Sequence, residues 1–138
     1  FSQLNFLIGL HKPIIKFDFN DVTFLNTNKS YLESILLNLL TNSIKYKSDS
    51  RKLKININCS RLDDDTVVLT FGDNGIGIDL DKNRDKIFGL YQRFHDYSDS
   101  KGLGLYLVKS QVETMGGTIS IESKVNVGTT FILTFKNK

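Results

Sequence analysis

Apolar residues recur along this chain in two spacings, every second position and every third or fourth, and the changes from one to the other divide it into elements. Phe1, Leu4, Leu7 and Ile8 keep helical spacing up to Pro13, and because the stretch begins abruptly, residues 1–12 read as the remnant of a preceding helix and linker. Ile15, Phe17 and Phe19 then alternate with Lys16, Asp18 and Asn20, the mark of a strand with one buried face. Ser30 and Glu33 have capping-box spacing and predict a helix from Tyr31 to about Tyr46. Strands are predicted at 53–59 and 66–71, joined through the acidic turn Asp63-Asp64-Asp65. Weak helical periodicity spans 82–94, and a polar stretch follows over 95–101. A further helix runs from the glycine pair Gly102 and Gly104 to Met115, where Gly116-Gly117 stops it. Two last strands, 118–123 and 129–136, flank a turn at 126–128. Residues 13–138 therefore predict one α+β domain, a two-layer sandwich with helices packed on one face of a mixed, mostly antiparallel sheet.

Composition narrows the possibilities. With 138 residues and 40% hydrophobic content the chain can enclose one substantial core. No apolar run approaches the ~18 residues of a spanning helix, so the domain is expected to be soluble and intracellular. Eighteen basic and fifteen acidic residues give a net charge of +3 but are interspersed, which argues against nucleic-acid binding. Cys59, the single cysteine, sits in an alternating run and reads as a small buried hydrophobe, and two histidines are too few for a histidine-rich metal site.

Three groups of residues carry candidate chemistry. At about 100° per residue, Asn38, Asn42 and Lys45 fall on one polar stripe of the long helix, opposite an apolar face of Leu36, Leu39, Leu40 and Ser43. Amide carbonyls suit a hard cation such as Mg2+ and an ammonium suits phosphate, although a stripe of this kind is also what a solvated face looks like. Asp73-Asn74-Gly75-Ile76-Gly77-Ile78-Asp79 follows an apolar strand, and its glycines allow sharp turning and close approach to a flat ligand, with a carboxylate beside them to accept an exocyclic amino group. Alone, it is equally an ordinary Asp-Asn-Gly turn. Gly102-Leu103-Gly104-Leu105 feeds a helix whose first amides favour phosphate, yet it matches neither the lysine-threonine phosphate loop nor the dinucleotide fingerprint.

Taken in order, these segments resemble the ATPase family shared by histidine kinases, gyrase, heat-shock chaperones and mismatch-repair proteins. Residues 37–46 look like its asparagine box, 73–79 like its first glycine box, Ile87-Phe88 with 91–95 like its phenylalanine box, and 102–105 like its second glycine box. The resemblance implies the Bergerat fold, with ATP between the asparagine-box helix and a lid at 88–101. Carried over position by position, it gives Asp73 the adenine amino group, Gly75 and Gly77 close approach to the base, and Tyr46 a place near the nucleoside. Asn42 would coordinate Mg2+ with help from Asn38, Lys45 would contact phosphate, and the amides of Gly102, Leu103, Gly104 and Leu105 would hold phosphates. Thr130 would support the adenine pocket and Arg93 would steady the transferred phosphoryl group.

Hydrolysing members of this family resemble one another in having a glutamate where this chain has Asn38, and an amide cannot activate water as that base does. Phosphoryl transfer to an imidazole needs mainly positioning and charge neutralisation, so the resemblance implies a two-component histidine kinase. The implied partners are a histidine-bearing dimerisation domain and, downstream, a response regulator. The full protein is expected to be a homodimer on the cytoplasmic side of a membrane-associated sensor, and the fragment a monomer. Ser43 and Ser100 stand where alanine and glycine are typical of such kinases, and the lid is short. Neither His11 nor His95 has an acceptor context. Two other readings of the same fold stay open at this point, a non-catalytic ATP-binding regulator and a serine kinase of the anti-sigma type.

Overall fold

The computed structural model of the chain describes residues 2–19, 29–84, 86–88 and 104–136. In chain order they form α1 (Ser2–His11), β1 (Ile14–Phe19), α2 (Lys29–Lys45), β2 (Lys54–Arg61), β3 (Thr66–Asp73), α3 (Leu80–Asn83), α4 (Gly104–Thr114), β4 (Thr118–Lys124) and β5 (Gly128–Lys136). The five strands make one sheet in the order β1-β2-β3-β5-β4, parallel between β1 and β2 and antiparallel elsewhere. The parallel pair is the one joined through α2, because strands running the same way need a crossover connection. This is the mixed, mostly antiparallel sheet that the alternation predicts.

Register explains which face the helices cover. Phe17, Ile57, Phe71, Phe131 and Ile121 lie side by side across all five strands, and Cys59, Leu69, Leu133 and Ile119 form the next row. Ile35, Leu39 and Leu40 of α2 and Leu105, Val108 and Val112 of α4 share one core with those rows, except that Phe17 on the edge strand stays exposed, and Leu7 and Ile8 of α1 pack against that core. Each large side chain buried here contributes roughly 1.5–3 kcal/mol, so the two middle rows hold the layers together. Lys54, Asn56, Asn58 and Ser60 on the other face of β2 are exposed, which leaves the sandwich two layers deep. Cys59 is a buried free thiol whose pKa burial pushes up, in keeping with its reading as a small hydrophobe.

Two helix boundaries differ from expectation. The long helix starts at Lys29, so Ser30 lies in its first turn instead of capping it. The expected helix over 82–94 is in its described part the short α3, shifted upstream because Asp79 caps it by accepting from the amides of Asp81 and Lys82. Past α3, Ile87 is buried in the core and Phe88 meets Phe131 edge to face, with ring centroids 6.4 Å apart.

Candidate nucleotide site

The next row of the sheet is where its apolar face turns polar: Ile15, Ile55, Asp73, Thr129 and Ser123 stand in line. Asp73 ends β3 and points to the helix side, where Ser43 of α2 donates a hydrogen bond to its Oδ2 at 2.8 Å. The Gly75 amide donates to Oδ1 at 2.9 Å. Burial pushes the Asp73 carboxyl above the ordinary carboxylate range, while the Gly75 amide, the Ser43 hydroxyl and the Thr129 amide act in the opposite direction. A carboxylate held this way is a fixed hydrogen-bond acceptor at the end of β3.

The glycine segment behind it is fastened from several sides. The Ile76 amide donates to the Tyr46 carbonyl at 2.9 Å, and a Cβ at Gly75 would stand 2.5 Å from that same oxygen, so only glycine fits beneath the end of α2. Gly77 has a φ of 75° and a Cβ there would stand 2.2 Å from the Lys124 carbonyl. Its freedom therefore serves contact with the β4–β5 turn, a structural use distinct from approach to a base. Asn74 accepts from the Lys54 amide and donates to the Lys52 carbonyl. Arg51 donates to three carbonyls, those of Asn74 and Gly75 at 2.7 Å and of Asn126 at 2.9 Å.

Along α2 the polar stripe runs beside this floor. Asn38 gives its amide hydrogens to Ser34, whose hydroxyl also receives Gln111 of α4 at 3.1 Å. Its Oδ1 is thereby turned toward the start of α4, where a Cβ at Gly104 would stand 3.6 Å away. Asn42 and Lys45 are half-buried, and among the described residues the side chain of neither makes a hydrogen bond or ion pair. Tyr46 is buried. Two amide carbonyls one turn apart, both without a described donor, suit a hard cation that takes oxygen ligands. Gly104 is the first residue of α4 and Leu105 turns its side chain into the core, so the first-turn amides point away from it, the kind of donors that suit an anion.

One expected residue is not brought to the site. Thr130 pairs with Gly72 and Glu122 on the outer face of the sheet, opposite the Asp73 carboxylate. The inward position belongs to Thr129, which is buried and shares a 2.8 Å hydrogen bond with Ser123. Parity carries the signal, since Thr129 shares odd numbering with Phe131, Leu133 and Phe135. Arg51 was also missed, and nothing in its polar surroundings distinguishes it. Arg93, Gly102 and Leu103 lie outside the described residues.

Known proteins share both this sequence pattern and this fold. Residues 27–138 match the family described as "Histidine kinase-, DNA gyrase B-, and HSP90-like ATPase". The chain belongs to this ATPase family. Relatives within it are sensor kinases. The heme sensor protein HssS of Staphylococcus saprophyticus is 32% identical over 112 residues, covering 81% of the chain and 24% of that protein. The methanogenesis regulatory histidine kinase FilI of Methanothrix harundinacea is 38% identical over 103 residues, 75% of the chain and 11% of FilI. The histidine protein kinase SaeS of Staphylococcus aureus is 32% identical over 119 residues, 83% and 33%. The ATPase domain thus spans no more than a third of the length of these relatives. The mycobacterial sensor histidine kinase MprB shares its fold with a TM-score of 0.78 at 20% identity, over 99% of this chain and 92% of that one. The catalytic domain of histidine kinase ThkA gives 0.77 at 19%, over 99% and 92%.

Proposed function

We propose that this ATPase domain binds Mg-ATP and passes the γ-phosphoryl group to a histidine on a dimerisation domain of the same kinase. The observation that carries the reading is the Asp73 carboxylate, fixed by Ser43 and Gly75 at the foot of the α2 stripe. Its acceptor oxygens match the amino group of adenine, and Tyr46 and Gly75 close the floor around the base. Asn42 and Asn38 would hold Mg2+, which neutralises charge on the phosphates when bound. Lys45 and the amides at the start of α4, Gly104 and Leu105 among them, would receive the remaining phosphate oxygens.

In the transfer, an imidazole nitrogen forms a bond to the γ-phosphorus as the bond to the bridging oxygen breaks, and ADP leaves with that oxygen's charge. Asn38 supports this over hydrolysis, since its amide has no lone pair basic enough to take a proton from water. The receiving histidine, a downstream response regulator, a homodimeric full-length kinase and a cytoplasmic site of action complete the reading. No helix among the described residues is long and apolar enough to cross a membrane.

Calorimetric titration with a non-hydrolysable ATP analogue and Mg2+ tests the binding half. Asp73→Asn should weaken affinity by roughly a hundredfold, because an amide presents a donor where the base also presents one. Undiminished affinity would remove Asp73 from base recognition. Radiolabelled ATP supplied with the kinase's own acceptor hairpin tests the transfer half, and a hairpin that stays unlabelled while nucleotide binds would reject it.

A further inference from the structure

Ser43 is the polar member of an otherwise apolar set. The buried residues of α2 are Ile35, Leu39, Leu40 and Ser43, and Ser43 is 1% exposed. A hydroxyl taken out of water costs stability unless it finds a partner, and the partner here is the Asp73 carboxylate at 2.8 Å. The geometry is two-sided. Ser43 donates to Oδ2 from the helix layer and the Gly75 amide donates to Oδ1 from the glycine segment, so neither oxygen can rotate without losing a bond. Alanine, the residue typical of the kinases this chain resembles, would fill the same space and leave Oδ2 without its donor.

Such a donor decides more than orientation. An ionised carboxylate only accepts, whereas a protonated carboxyl also donates. Purines differ in the same sense: adenine presents an amino donor at the edge where hypoxanthine presents a carbonyl acceptor. An acceptor-only floor pairs with the first and faces the second acceptor to acceptor, leaving buried oxygens unpaired.

We propose that Ser43 is a positioning residue that sets base choice: its hydroxyl keeps the Asp73 carboxylate a fixed, pure acceptor, so that the site takes adenine nucleotides and turns hypoxanthine nucleotides away. The proposal rests on the reading that Asp73 meets the base. Burial works against it by favouring the protonated acid, and the Gly75 amide, the Ser43 hydroxyl and the Thr129 amide are what oppose burial. Among the described residues the charged groups on the surrounding elements are Lys45 on α2, Arg51 before β2, Lys54 at its start, Asp79 beyond the glycine segment and Lys124 on β4, and the Asp73 shift traces to none of them. Removing the Ser43 hydroxyl therefore pushes the Asp73 pKa further up. Adenine binding needs the ionised form, so it is retained above that pKa and fails as pH falls through it. The acid limb of binding moves to higher pH in the variant.

The test is calorimetric titration of the 138-residue chain with the non-hydrolysable analogues of ATP and of ITP, with Mg2+, from about pH 8 down to about pH 4. Native protein, Ser43→Ala and Asp73→Asn are compared. Ser43→Ala should bind the ATP analogue about tenfold more weakly near neutrality, lose it at a higher pH than the native chain, and show a preference for ATP over ITP reduced by about tenfold or more. A purely structural serine would change none of the last two. If Ser43→Ala keeps the native affinity, acid limb and base preference while Asp73→Asn abolishes binding, the role of Ser43 is refuted and the adenine reading stands. If Asp73→Asn binds as the native chain does, the adenine reading itself falls.

Discussion

The two walls of the candidate site, the glycine segment and the α2 stripe, are built on opposite terms. The glycine segment is committed to its own fold: Asn74 bridges Lys52 and Lys54, Gly75 lies under the Tyr46 carbonyl, Gly77 under the Lys124 carbonyl, and Arg51 ties three carbonyls together. The stripe on α2 is built the other way. Asn42 and Lys45 are half-buried with no described partner, and Asn38 spends its amide hydrogens on Ser34 while its carbonyl stays available. The contrast teaches that a motif can mix two demands, since most of residues 74–78 serve to hold Asp73 in place, while the stripe keeps groups with no described partner in the chain. On the proposed reading, base recognition would rest on a rigid floor, and phosphate and metal recognition on groups ordered by the ligand.

Substitutions on the two walls should therefore separate stability from binding. Gly77→Ala should have the largest effect, because its backbone is left-handed at φ 75° and a methyl group would stand 2.2 Å from the Lys124 carbonyl. A loss of roughly 3 kcal/mol or more is expected in chemical denaturation, with nucleotide affinity falling alongside. Native stability in that variant would mean that the β4–β5 turn moves freely and that the floor is softer than its contacts imply. Arg51→Ala comes next. Its guanidinium makes three hydrogen bonds but is itself exposed, so water replaces part of the loss, and about 1–2 kcal/mol is expected. ATP affinity should weaken with it, and a variant that loses stability while binding unchanged would show that the clamp does not reach Asp73.

Much of this arrangement is legible in the sequence, and what is not has identifiable causes. The strands follow from alternation, because a half-buried sheet leaves that mark at Ile55, Ile57 and Cys59 and again at Phe131, Leu133 and Phe135. The stripe follows from helical spacing. The resemblance alone points to Thr130, whereas parity with Phe131 assigns the inward face to Thr129, and the pairing of Asp73 with Thr129 bears the parity out. The helix start at Lys29 and the short α3 depart from the pattern because a capping box marks a helix start only to within a residue or two, and the cap at Asp79 precedes the periodicity that begins at Lys82. Arg51 was invisible for another reason: its three acceptors are backbone carbonyls from segments 23 to 75 residues away, and carbonyls leave no trace in side-chain pattern.

Asn42→Ala should have the smallest effect on stability and separates the two walls most cleanly. Its side chain has no described hydrogen bond, and the helix propensity of alanine exceeds that of asparagine by a few tenths of a kcal/mol. Stability should stay within about 0.5 kcal/mol of the native chain, or rise slightly. Binding should change in kind: native affinity for the ATP analogue should climb with added Mg2+, and the variant's affinity should stay nearly flat across the same range. A variant that still responds to Mg2+ as the native chain does would remove Asn42 from the metal site. One that unfolds would overturn the premise that this wall is free of structural duty, since an amide with no described partner has no described hydrogen bond to lose when it becomes a methyl group.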